Sequence, residues 1–134
     1  MAERYFTAEE ANETLALVRP LAEELVSHRR ALLAAEERRA DLDRRIAGNG
    51  EALDARDLVD LEARITREAA ELASCVVRIQ DLGVLVKDLD RGLVDFPALR
   101  GDEEVLLCWQ VGEDEIAYWH GLEEGYAGRK PLPL

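Results

Sequence analysis

A chain of 134 residues, 34% charged and only 5% aromatic, has the size of one domain and the balance of a helix-rich soluble protein rather than a sandwich or barrel. Its net charge of −12 divides evenly, −6 over residues 1–82 and −6 over residues 83–134, which leaves no clustered basic surface for nucleic acid or an anionic membrane. No apolar run reaches the roughly 20 residues of a membrane span, Met1–Thr7 lacks the apolar core of a signal peptide, and Cys75 and Cys108 form no metal or redox motif. A cytoplasmic protein with reduced thiols is expected.

The first element opens on Thr7-Ala8-Glu9-Glu10, a capping box in which Thr7 and Glu10 satisfy each other's backbone amides. Glu9 and Glu10 also suit the positive end of the helix dipole. Apolar residues then recur at helical spacing to Ala47, one seam running Ala11, Val18, Leu25, Leu32 and Ile46, another Leu21, Ala35 and Leu42. Arg39 interrupts the first seam and His28 the second. Pro20 falls inside and predicts a kink rather than a break, because the seam resumes in phase.

Gly48-Asn49-Gly50 is the expected stop, with Gly48 as a left-handed cap. A second helix is expected from about Leu53-Asp54, on a seam of Leu58, Ile65, Leu72 and Ile79 with Leu61, Cys75 and Leu82 beside it, closed by Gly83. Helices joined by so short a loop form an antiparallel hairpin. Folding the pair about Asn49 puts Arg39 near Asp57 and Asp60, and His28 near Glu68 and Glu71. Ion pairs of this kind fix register in coiled coils. A second reading makes His28 and a facing carboxylate half of a bundle metal site, but the Glu-x-x-His spacing such sites use is missing, since position 25 is leucine.

Leu15, Leu17, Ala22, Val26, Leu33, Ala69 and Val76 widen the apolar face beyond what two helices can bury. The surface that covers it is either the following sheet or a second copy of the chain. A homodimer forming a four-helix bundle is the economical arrangement.

From Gly83 the period changes. Val84–Val86 and Leu93–Phe96 read as two short strands around an Asp/Gly turn, with Pro97 ending the second. Val105–Gln110 is apolar on both faces and is expected to be central. Ile116–His120 returns, and a hairpin centred between Glu113 and Asp114 sets Cys108 against Trp119, Trp109 against Tyr118 and Leu107 against His120. The tail, residues 121–134, is punctuated by glycine and proline and reads as irregular. The whole is a single α+β domain, a long antiparallel helical hairpin over residues 8–82 followed by a small, mainly antiparallel sheet over residues 83–134.

Three stretches carry a resemblance: Tyr5–Asn12 at the start, Gly83 to Pro97 in the middle, and Leu107-Cys108-Trp109 through Trp119-His120-Gly121 near the end. In combination they resemble the bacterial and archaeal family of domain of unknown function 2203, over nearly the whole chain. The resemblance implies a small soluble protein and carries no assigned activity, so no catalytic residues transfer from it.

The residues themselves allow two chemistries. His120, with Glu123 and Glu124 just beyond it and Asp95 from the first hairpin, forms a candidate site for a divalent metal ion through nitrogen and oxygen ligands. A metal-activated water there would act on an ester or phosphate. The alternative is structural, with His120 bonded to backbone at a strand end and Asp88, Asp90 and Asp95 shaping turns. Cys108 with His120 as base would make a nucleophile, but the expected register puts them on opposite faces. Trp109, Tyr118 and Trp119 could stack a planar ligand, though the acidic charge opposes a nucleic-acid strand. At least one tryptophan is expected to close the sheet against the helices, with the other available for an aromatic contact with a partner. The leading expectation is a non-enzymatic interaction or assembly protein, a homo-oligomer built through its hairpin, with a protein partner possible and no cofactor. The alternative is a metal-binding protein or metal-dependent hydrolase at the His120 site.

Overall fold

The computed structural model of the chain describes residues 2–49 and 55–134. Helix α1 spans Ala8–Asn49 and helix α2 spans Ala55–Asp81. Strands β1 (Leu85–Asp88), β2 (Leu93–Arg100), β3 (Glu103–Trp109), β4 (Tyr118–Gly121) and β5 (Lys130–Pro131) follow, with a short 3-10 turn at Tyr126–Gly128. The result is α+β, with a sheet in the order β1-β2-β3-β4-β5 and every neighbouring pair antiparallel.

The capping box forms as the sequence predicts, with the Thr7 amide donating to Glu10 Oε1 and the Glu10 amide to Thr7 Oγ1, each at 3.0 Å. Those bonds hold the exposed Glu10 carboxyl below its ordinary pKa. At 42 residues, α1 is about 63 Å long, and it continues through Pro20 without interruption. It also continues through Gly48, so that glycine is a helical residue and not the left-handed cap expected of it. Gly50 and the expected helix start at Leu53-Asp54 lie outside the described residues.

Three cross-helix contacts show that the helices run antiparallel. Glu24 meets Cys75 at 4.0 Å, His28 Nδ1 meets Glu68 Oε2 at 2.6 Å, and Arg39 reaches Glu62 at 3.0 Å. Of the two carboxylates expected near His28, Glu68 is the partner and Glu71 is exposed. Arg39 is corrected from Asp57 and Asp60 to Glu62, with Asp43 beside it on its own helix.

The sheet packs one face against the hairpin. Val94, Phe96 and Ala98 of β2, Val105, Leu107 and Trp109 of β3, and Trp119 of β4 share one core with α1 from Ala11 to Leu32 and with Leu72, Cys75 and Ile79 of α2. Both tryptophans therefore close the sheet. The widened helix face is divided in two, with Leu15, Ala22 and Val26 buried in this core and Leu17 and Leu33 exposed. β3 is central, as its two apolar faces require.

Three expectations for the strands fail, each for an identifiable reason. β2 does not end before Pro97 but runs through it to Arg100. The Pro97 carbonyl accepts from the Phe6 amide at 2.7 Å, so its bonding edge faces the N-terminal segment and its missing N–H costs the β2–β3 ladder nothing. The tail is not wholly irregular either, since Lys130–Pro131 pairs with Tyr118–Trp119 as β5.

The third correction concerns register. β3 pairs with β4 as Leu106↔His120, Leu107↔Trp119 and Cys108↔Tyr118, one residue away from the expected pairing. The connection is not a symmetric hairpin. Gln110 and Glu113 close a turn of their own, the Glu113 amide donating to the Gln110 carbonyl at 3.1 Å and the Gln110 amide to Glu113 Oε1 at 2.9 Å. The chain is then drawn onto α1. The Ile116 amide donates to Asn12 Oδ1 at 2.8 Å, and Arg19 donates to the Glu113 and Asp114 carbonyls. A slip of one residue moves every side chain of the strand to the other face.

Candidate functional site

That slip assembles a site on the face of the sheet turned away from the helices. Asp95 of β2 lies directly opposite Cys108 of β3, and Leu106, two residues before Cys108, lies opposite His120 of β4. Side chains two apart on a strand share a face, so Asp95, Cys108 and His120 converge from three adjacent strands. Their ligand atoms all lie within 4.8 Å of one another. The Asp95 and His120 side chains are each 3% exposed, and Cys108 is as deeply buried.

His120 is held by both ring nitrogens, Nδ1 at 2.7 Å from the Gly121 carbonyl and Nε2 at 3.2 Å from Asp95 Oδ1. A carbonyl oxygen can only accept, so Nδ1 carries a proton and Nε2 is the atom presented to Asp95 and the interior of the cluster. Burial first, and the neighbouring Asp95 carboxylate second, push the Cys108 thiol up to about 12. Burial, with Glu24 next, raises Cys75 as well. Thiolates, not thiols, react with disulfide reagents. The folded, metal-free protein is therefore expected to leave both cysteines unmodified by an aromatic disulfide reagent at pH 8, with two equivalents reacting on unfolding. Rapid release of one equivalent from the folded chain would contradict the burial of that thiol.

The tail braces this face. Arg129 makes two bonds to Glu113, at 2.6 and 2.9 Å, donates to the Cys108 carbonyl at 3.1 Å, and lies over the rings of Tyr118 and Tyr126 at 4.3 and 4.7 Å. Glu124 is committed elsewhere. It accepts from Lys130 at 2.6 Å and from the Gly121 amide at 2.9 Å, and these bonds hold its exposed carboxyl below the ordinary range. Glu123 is exposed. Of the four residues singled out from the sequence, the fold thus joins His120 to Asp95 and leaves Glu123 and Glu124 outside the cluster. Cys108 takes the third place. The signal for it was present in the sequence, since Asp95, Cys108 and His120 all follow from pairing β2, β3 and β4, but only the correct β3–β4 register reveals it.

Asp88 shapes the β1–β2 turn, accepting from the amides of Asp90 and Arg91 at 2.8 and 3.1 Å. Asp90 in turn pairs with Arg29 at 3.0 Å. Arg29 and Arg39 are thus both paired with carboxylates.

A second surface lies on α2. Val59, Ala63, Thr66, Ala70, Ala73 and Val77 are all exposed, Val59 by 62% and Val77 by 52%. Their alternating steps of four and three make a continuous stripe along a helix. It lies on the side away from α1, because the interleaved residues Leu61, Leu72, Cys75 and Ile79 are the buried ones.

These features define a small α+β protein, a long helical hairpin with an antiparallel sheet and a buried Asp–Cys–His cluster. The chain belongs to the family described as an uncharacterized conserved protein (DUF2203), whose pattern it matches over residues 4–132. No curated protein and no solved structure matches it. Among the described residues, no helix is long and apolar enough to cross a membrane.

Proposed function

We propose that this is an assembly protein that forms a homodimer through the outer face of α2. The observation that carries the reading is the exposed stripe from Val59 to Val77. It is nearly palindromic about its centre, with valine at both ends, alanine at the next positions inward, and Thr66 and Ala70 in the middle. Two copies laid antiparallel would set Val59 against Val77, Ala63 against Ala73 and Thr66 against Ala70, twice over. This self-complementarity is what a two-fold interface requires. Small central residues allow close approach of the two axes, towards the 8 Å end of the usual range of about 8–10 Å. The dimer would be a four-helix arrangement with the two sheets at opposite ends. A further protein partner would then meet the assembled bundle or the exposed Leu17 and Leu33 of α1.

Light scattering at tens of micromolar tests this. The expected mass is twice the 15.0 kDa of the chain. Ala70→Arg places a long charged side chain in the middle of the interface and is expected to give a folded monomer, because an exposed helical site tolerates arginine. A monomeric wild type, or an unchanged dimer in the variant, would remove the reading.

A further inference from the structure

The Asp95–Cys108–His120 cluster has an electrostatic problem that a cation resolves. With Nδ1 of His120 donating to the Gly121 carbonyl, a neutral ring turns the Nε2 lone pair on the Asp95 carboxylate. A proton on Nε2 would remove the conflict by making a hydrogen bond of 3.2 Å, and a metal ion bound to both atoms would remove it without charging the buried ring. With zinc bonds of about 2.0–2.1 Å to nitrogen and oxygen and tetrahedral angles, the two atoms stand about 3.3 Å apart.

We infer that Asp95, Cys108 and His120 bind a transition-metal dication of the zinc class, through Oδ1, Sγ and Nε2 respectively, independently of whether the chain dimerises. Charge supports the assignment, because a dication with one carboxylate and one thiolate is neutral and a neutral centre avoids the cost of burying an unpaired charge. Outer contacts support it too. Metal-bound histidines regularly donate their other N–H to a backbone carbonyl, which fixes the ring and its tautomer, and His120 does so at Gly121. The mixed nitrogen, sulfur and oxygen donors select zinc or cobalt over magnesium and calcium, which take oxygen. Binding displaces the Cys108 thiol proton to solvent, so one proton is released per metal bound. Three protein ligands leave a fourth position for water or another small ligand.

Cobalt(II) provides the direct test, because a cobalt–thiolate bond gives a charge-transfer absorption that oxygen and nitrogen ligands alone do not. The full chain, stripped of metal and titrated with cobalt(II), is expected to develop that band to an end point of one equivalent per chain and to lose it on adding zinc. Cys75→Ala is expected to keep the band, and Cys108→Ser to abolish it. His120→Gln and Asp95→Asn should weaken binding by more than the roughly 10–100-fold that loss of an outer-shell partner costs. Glu123→Gln and Glu124→Gln are expected to bind as the wild type does. No thiolate band in the folded wild type, or a band that survives Cys108→Ser, overturns the inference. The wild-type titration decides the matter even where a ligand variant fails to fold, and circular dichroism identifies such a variant. Should the inference fail, Asp95 and His120 remain a buried hydrogen-bonded pair.

Discussion

Trp109→Ala is expected to lower the unfolding free energy by about 3–5 kcal/mol. Trp109 is fully buried at the end of the central strand, on the face that meets the helices. Its removal leaves a large cavity that the surrounding backbone cannot collapse to fill. The indole also holds the β3–β4 connection, donating from Nε1 to the Glu113 carbonyl at 3.2 Å while the Arg19 guanidinium lies 5.3 Å from the ring centre. Domains of this size have only about 5–15 kcal/mol to lose. Urea unfolding followed by circular dichroism measures the change, and Trp109→Phe should recover part of it. A loss below about 1 kcal/mol would mean that the site repacks far more readily than typical large-to-small core changes.

Gly92→Ala is the second large effect. Gly92 sits at the β1–β2 turn with φ of +62°, and a Cβ there would lie 2.5 Å from Val111 Cγ2 and 2.8 Å from Val26 Cγ2. Two costs add. The left-handed backbone costs a residue with a side chain about 1–2 kcal/mol, and forcing a methyl between two packed valines costs about 1–3 kcal/mol more. Gly101 separates them, because its φ is +64° but nothing lies within 4 Å of its Cβ position. Gly101→Ala should therefore show the backbone cost alone. Equal destabilisation of the two variants would show that Val26 and Val111 move aside freely.

The parts of the fold that were legible from residues are those whose determinants lie close together in the chain. Thr7 and Glu10 are three apart and make the bonds their spacing predicts. His28 and Glu68 are distant in sequence, yet their meeting follows from two helical periods folded about one loop. Pro97 shows where residue preferences stop being sufficient. Whether proline ends a strand depends on which way its bonding edge faces, and that was decided by Phe6 arriving on the open side. Likewise, β5 is too short to carry a pattern of its own and exists because β4 offers it an edge.

The candidate site divides along the same line. Residue types and short-range spacing by themselves established the helical hairpin, the antiparallel strands and the central place of β3, and they put Asp95 and His120 among the residues worth weighing. Packing alone decided that Cys108 joins them and that Glu124 does not. The β3–β4 register is set by Asn12, which binds Ile116 across 104 residues, and by Arg19, which holds Glu113 and Asp114. No local pattern encodes such contacts. Because side chains alternate along a strand, the one residue they shift carries His120 from the face opposite Cys108 to the face it shares with Cys108.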